Sequence, residues 1–351
     1  MKIVHVGKYY PPVPGGIEAV VRDMAEEQVR QGHRVWVLAH RERPGLRFDW
    51  ADHGGVSILR VPIWATLAYA PLAPRLPCIL SHLLHTVKPD VLHVHMPNVA
   101  PFWLLARPKS CPLIVHWHSD VMTSLRDLRL ALLYPMYAPF ERALLARADV
   151  VIATSKNYMA GSKTLRVVKD KCIIAPLALP SRRMTPQRPC PSSDYAFLIL
   201  SAGRFTSYKG FDVLIRAVTR LPQEVQVVIA GDGDQRTRLL REVHRWGLND
   251  RVHLPGRVSD QRLHELMQQC DVFCLPSVDR TEAFGMVLLE AMHYAKPLIT
   301  TRIHGSGMQY VNRHGQTGIA VEPDNEGALA GGLLFLLKNP SISQEMGQAA
   351  Q

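Results

Sequence analysis

Short apolar runs alternate with stretches of helical spacing from one end of the chain to the other. KIVHVG (2–7) is strand-like, and a loop, KYYPPVPGG (8–16), follows it. In IEAVVRDMAEEQVRQG (17–32) the apolar positions 17, 20, 21, 24 and 29 keep close to helical spacing and stop at Gly32. HRVWVLAH (33–40) is strand-like again, so the first forty residues predict a βαβ unit. Further strands are predicted at 90–95, 113–119, 149–154 and 171–179, with a helix over 128–148 kinked at Pro135 and Pro139. PSRRMTPQRPCPSSD (180–194) has no periodicity and reads as an interdomain linker. The alternation then restarts, with strands at 196–204, 225–233, 251–256, 271–277 and 296–301 and helices at 210–222 and 234–247. Two such arrays predict an α/β protein of two doubly wound, Rossmann-like domains facing a cleft, residues 1–180 and 181–351.

Composition adds the setting. A chain of 351 residues, 47% hydrophobic, is long enough to bury two cores. Its six cysteines (78, 111, 172, 190, 270 and 274) form no CxxC pair, which points to reduced thiols in a cytoplasmic protein. The apolar stretch in MKIVHVGKYY is too short for a signal peptide, and no run of 18 apolar residues predicts a membrane span. The net charge of +11 is uneven: residues 1–170 carry 21 Lys/Arg against 13 Asp/Glu, or +8, and the remainder +3. A basic first half suits an anionic partner such as a phosphorylated ligand or an acidic membrane surface, although simple solubility explains it too. VPIWATLAYAPLAPRLPCILSHLL (61–84) reads either as a lipid-contacting segment or as a buried loop and helix. No RRM or KH signature is present, so no nucleic-acid partner is expected.

In open α/β sheets ligands sit at the carboxyl ends of strands. After the strand at 196–204 come Arg204 and Lys209, five apart; they suit a diphosphate, or are simply two surface cations. After the strand at 271–277 comes EAFGMVLLEAM (282–292), an apolar run bracketed by Glu282 and Glu290. Gly285 allows a ligand close to the backbone. A helix starting at Met286 leaves its first amides as an anion site. Glu290, one turn on, is placed to accept two hydroxyl hydrogen bonds from a ribose diol. The alternative is that Glu282 caps the helix and Glu290 is a solvated charge, against which Leu288, Leu289 and Met292 look buried. GDGD (231–234) contains D-x-D, but its Gly-rich setting after a strand favours a turn over a metal site. His93, His95, His116 and His118 read as strand-end histidines beside a phosphate cleft rather than metal ligands.

The E-x7-E spacing of EAFGMVLLE, with GRFTSYKG and IAGDGD before it, resembles the GT4 family of retaining glycosyltransferases. PPVPGGIEAVV and HWHSD (116–120) resemble that family's acceptor-domain elements, so the likeness spans nearly the whole chain. The resemblance implies the GT-B fold, with an N-terminal acceptor-binding and a C-terminal donor-binding domain. It implies that Arg204 and Lys209 clamp the donor diphosphate, that Glu290 holds the ribose, and that Glu282 holds a sugar hydroxyl. The amides of Phe284, Gly285, Met286 and Val287 are then near the sugar and phosphates. His118 resembles the histidine near the transferred sugar and its leaving oxygen. Gly15 and Gly16 resemble a loop that closes on the donor phosphate and borders the acceptor, and Arg257 and Val258 resemble a segment touching the base through main-chain groups.

The chemistry so implied is same-face attack, with the leaving phosphate oxygen as base. Arg204, Lys209 and helix amides stabilise the leaving charge, so no metal or other cofactor is expected. The expected activity moves a hexose, mannose first, from a nucleotide-sugar donor to a glycan acceptor, lipid-linked, in cell-surface polysaccharide assembly at the inner face of the cytoplasmic membrane. The rivals are a nucleotide-sugar epimerase of the same fold and a nucleic-acid-binding protein. Family chains usually carry a longer C-terminal helical section, so a short or absent crossover is expected here.

Overall fold

The computed structural model describes residues 1–121, 128–180 and 196–351. The expected linker over 180–194 lies, apart from Pro180, outside the described residues. Two compact units divide the chain, Met1–Leu177 and Ala178–Gln351.

Among the described residues the first unit holds ten strands: β1 (Lys2–Val6), β2 (Arg34–His40), β3 (Asp49–His53), β4 (Val56–Val61), β5 (Ala65–Leu67), β6 (Ala70–Leu72), β7 (Val91–Met96), β8 (Leu113–Trp117), β9 (Val150–Ala153) and β10 (Cys172–Ile174). Eight of them form one sheet in the order β10-β9-β8-β7-β1-β2-β4-β3. All neighbours in it are parallel except β3, which runs antiparallel to β4 at the edge. That edge strand, DWADH, is exposed at every position but its third, the polar dressing that keeps a sheet edge from pairing onward. The strand expected over 171–179 contracts to Cys172–Ile174, with the Ala175 amide still donating to the Ala153 carbonyl, and ends before Pro176, which has no amide hydrogen to extend the ladder.

β5 and β6 form a separate two-stranded hairpin. Trp64, Leu67 and Tyr69, on and around it, are each more than half exposed. Leu76, Leu80 and Leu83 of the following helix, Leu76–Val87, are buried. Of the buried loop and helix expected over residues 61–84, the helix is packed while the loop is an exposed apolar hairpin.

The second unit holds β11 (Phe197–Ala202), β12 (Val225–Ala230), β13 (Val252–Gly256), β14 (Val272–Leu275), β15 (Leu298–Thr301) and β16 (Gly318–Val321). They form a wholly parallel sheet in the order β13-β12-β11-β14-β15-β16. Its strands are covered on both faces and so read as unbroken apolar runs; all six residues of β11 are buried. Ile199, Val227 and Ile299 pack in one core with Phe211 and Leu214 of the helix Phe211–Val218. The strand order reverses beside β11, between β12 and β14, and a doubly wound sheet binds its ligand at such a reversal. The chain ends on the helix Pro340–Ala350, seated on this same unit: Gly347 leaves no room for a Cβ, which would stand 2.1 Å from the Ala295 carbonyl oxygen.

Candidate functional site

In the second unit the reversal point gathers several of the residues singled out from the sequence. Lys209 closes the short turn Ser207–Lys209 after β11, and Glu282 lies in the loop after β14. Although 73 positions apart, they meet: Lys209 Nζ donates to Glu282 Oε2 at 2.6 Å, and Ser277 Oγ donates to the same oxygen at 2.9 Å. Both side chains are buried. Burial draws the Lys209 pKa down, but the Glu282 carboxylate and Tyr208 together outweigh it and the net direction is up. The pair is thus a charged element held at the ligand end of the sheet. Ser306 Oγ donates to the Glu282 carbonyl at 2.5 Å, and the Gly307 amide to that of Ala283 at 2.7 Å, which fastens the 282–285 loop from behind.

The helix Met286–His293 begins where expected, and Gly285 is its N-cap at φ 82° with no side-chain cap. Glu282 therefore does not cap it. A Cβ on Gly285 would stand 2.8 Å from Leu288 Cδ1, so conformation and packing alone call for glycine here. Among the described residues, no chain acceptor is paired with the amides of Phe284, Gly285, Met286 or Val287. They form a free donor row at the positive end of the helix. Phe284 is buried. Glu290 is half-buried, as are Leu289 and Met292, while Leu288 is fully buried; only that one of the three apolar neighbours is core.

Arg204 is exposed, with its charge close enough to Lys209 to oppose it. Arg257 is exposed and Val258 half-buried, between the end of β13 and the helix Asp260–Gln269. GDGD forms the turn after β12. A Cβ on Gly231 would stand 1.8 Å from the Gly203 carbonyl oxygen. The Phe205 amide donates to the Asp232 carbonyl at 2.9 Å. The turn thus braces the loop that carries Arg204, and among the described residues neither Asp232 nor Asp234 joins a group of metal-ligand geometry.

In the first unit His118 follows β8 and is buried. Period-2 alternation puts His93 with His95 and His116 with His118 on one face, and register does the rest: His5 stands opposite His93, and His95 opposite His116. Five imidazoles therefore stack across the carboxyl ends of β1, β7 and β8, with centroids 4.2 Å apart for His116 and His118. His93, His95, His116 and His118, expected at strand ends beside a phosphate cleft, are all buried at or below 4% exposure, as is His5. Burial lowers every one of these pKa values, to about 4 for His5 and about 3 for His118. Two triplets, His5/His93/His95 and His95/His116/His118, bring one nitrogen each within 4.8 Å of one another. HWHSD is held by Asp120, which accepts from Trp117 Nε1 at 2.8 Å and from Ser162 Oγ at 2.7 Å.

Gly15 precedes the helix Gly16–Arg30 in an extended conformation, and a Cβ on Gly16 would meet nothing within 4 Å. Neither position needs glycine for its backbone. A cavity of 820 Å³ lined by Lys2, Arg34, Trp36, Trp50, Cys78 and His82 opens at the amino ends of β1 and β2. It contains none of the residues above and lies at the end of the sheet opposite to the ligand end. Sequence reasoning missed His5, Ser277 and Ser306. His5 carried a signal, a lone imidazole inside an apolar strand, whereas the two serines are placed only by the tertiary fold.

Comparison with known proteins decides the family. Residues 15–178 match the family described as "Glycosyl transferase 4-like domain", and residues 190–351 match "Glycosyl transferases group 1". The chain belongs to the GT4 family of glycosyltransferases. It is 29% identical to the O-antigen chain mannosyltransferase C of Escherichia coli over 365 residues, covering 99% of this chain and 92% of that one. Sucrose-phosphate synthase from Thermosynechococcus elongatus superposes with a TM-score of 0.80 at 20% identity, over 100% of this chain and 93% of that one. HepE of Anabaena, solved in complex with UDP, superposes with a TM-score of 0.73 at 20% identity over 100% and 94%. This GT4 glycosyltransferase has the GT-B fold. Among its described residues no helix is long and apolar enough to cross a membrane.

Proposed function

We propose that this glycosyltransferase moves a hexose, mannose in the first instance, from a nucleotide-sugar donor to a lipid-linked glycan with retention of configuration. The observation that supports a nucleotide-sugar donor is the buried Lys209–Glu282 pair beside the free amides of residues 284–287. A diphosphate brings negative charge, which the amides and the cations Lys209 and Arg204 neutralise; Glu282 and Glu290 accept from sugar and ribose hydroxyls. UDP in HepE and mannosyl transfer by the E. coli relative support the donor class and the sugar.

In the reaction, the bond from the anomeric carbon to the diphosphate oxygen breaks. The acceptor oxygen bonds to the same face, and its proton passes to the leaving phosphate oxygen. Lys209, Arg204 and the amides stabilise that leaving group without a metal. The exposed hairpin bearing Trp64, Leu67 and Tyr69, together with the +8 charge of residues 1–170, supports a lipid-linked acceptor met at an anionic membrane surface.

The test is a thermal-shift panel of UDP, GDP, UDP-glucose and GDP-mannose with and without EDTA, since a ligand of the native state raises Tm in proportion to its saturation. One nucleotide series is expected to stabilise the protein in EDTA, and its sugar to be transferred as the same anomer by NMR. A shift that needs magnesium or manganese removes the metal-independent reading, and an inverted product removes the retaining one.

A further inference from the structure

The stacked imidazoles contain an ordered thread. Gln28 Oε1, on the helix Gly16–Arg30, lies 2.7 Å from His5 Nε2. His5 Nδ1 lies 3.0 Å from His95 Nε2, and His95 Nδ1 lies 3.0 Å from His118 Nε2. We infer that Gln28, through His5 and His95, selects the tautomer of His118 and leaves its Nδ1 unprotonated, as a hydrogen-bond acceptor for the ligand. The consequence for catalysis rests on the sugar-side role proposed for His118; the tautomer itself does not.

The argument is one of counting. A neutral imidazole has one N–H and one lone pair. Three in series, each bonded to the next, have only two arrangements, all pointing one way or all the other. An amide oxygen only accepts, so His5 carries its proton on Nε2 and offers Nδ1 as an acceptor. His95 must then donate from Nε2, and His118 from its own Nε2. Burial keeps the three rings neutral, so no third state with an extra proton interrupts the series. The series has no branch from His116, whose nitrogens are both buried without a partner, nor from the equally unpartnered His93 Nε2.

The same five rings do not suit a metal as they stand. Imidazole lone pairs lie in the ring plane, and His116 and His118 are stacked with their planes 8° apart. Near-parallel stacked rings do not aim at one point, and either triplet would also take His95 out of the series. Gln28 is thus a positioning residue. With Nδ1 accepting from a sugar hydroxyl, electron density is left on that oxygen while cationic character develops at the anomeric carbon. A reversed series would withdraw it.

The experiment uses the full chain labelled with ¹⁵N, long-range correlation spectra of the imidazoles, and turnover of whichever of GDP-mannose or UDP-glucose binds. His5, His95 and His118 are expected as Nε2–H tautomers. In Gln28→Met the series loses its fixed end, His118 becomes a mixture of tautomers, and kcat falls about tenfold with KM for the nucleotide sugar unchanged. Gln28→Glu, which again only accepts, restores both tautomer and kcat. A wild-type His118 protonated on Nδ1, or an unchanged spectrum in Gln28→Met, overturns the proposal. So does stoichiometric zinc uptake by the wild type that is lost in His95→Gln. If the tautomer shifts as expected and kcat does not, the selection by Gln28 stands and the catalytic role given to His118 fails.

Discussion

The two units place polar groups at the same structural address, the carboxyl ends of central parallel strands, and protect them by opposite means. The first buries five imidazoles and keeps them uncharged, because the cost of desolvation falls on the protonated form. The second buries a cation and an anion, which hold each other at 2.6 Å with Ser277 on the shared oxygen. On the proposed function, the neutral hydrogen-bonded array meets hydroxyls and the charged pair, with free amides beside it, meets phosphates. The two arrangements are also broken by different agents, the first by acid and the second by removal of one partner.

The largest expected effect is acid lability confined to the first unit. His5 and His40 titrate near 4 when folded and His118 near 3, against 6.5 unfolded. Between pH 6.5 and about 4 the unfolded chain therefore binds protons that the folded one does not, and stability falls as pH falls through that window. At pH 5 the loss is on the order of 2 kcal/mol for each of the three. Among the described residues the second unit buries no histidine. Hydrogen exchange at pH 7.5 and pH 5, corrected for intrinsic rates, is expected to show lost protection in β1, β7 and β8 and retained protection in β11 and β14. Equal loss in both sheets would abolish the contrast.

Next in size is the ion pair. Lys209→Met leaves a buried carboxylate without its partner and should cost about 3 kcal/mol in urea unfolding. Lys209→Met combined with Glu282→Gln should recover most of that stability while leaving transfer down by about 100-fold, the worth of one strong contact to a developing charge. A double variant as unstable as the single one would show that the two side chains act separately.

The architecture was far more legible in the sequence than the pairings were. Parallel strands buried on both faces announce themselves as apolar runs, so β1, β2, β7, β11 and β12 could be read directly. DWADH could not, because an exposed edge strand has no apolar run to show, and the three-residue strands of the hairpin are shorter than any periodicity can resolve. Lys209 and Glu282 were each singled out as ligand groups, yet nothing local joins residues 73 apart. The histidines were visible, but their alignment depends on the register of three strands, and His5 entered the row only through its pairing with β7.

The smallest effect concerns the surface. Trp64→Ser with Tyr69→Ser removes two aromatics that are each more than half exposed. Sedimentation with anionic vesicles is expected to weaken about tenfold, in line with the loss of interfacial apolar area, with the thermal unfolding midpoint unchanged. Undiminished binding would leave net charge as the whole basis of the membrane reading.

Gly231 bears on how this enzyme can be redesigned. Its α-carbon leans on the Gly203 carbonyl so closely that even one added methyl displaces the loop carrying Arg204. In a mutagenesis library, position 231 therefore acts as a dead letter, and every clone that changes it is lost before its donor preference can be scored. Arg257 is exposed and Val258 half-buried, so substitutions there meet no such obstacle and the alphabet is open.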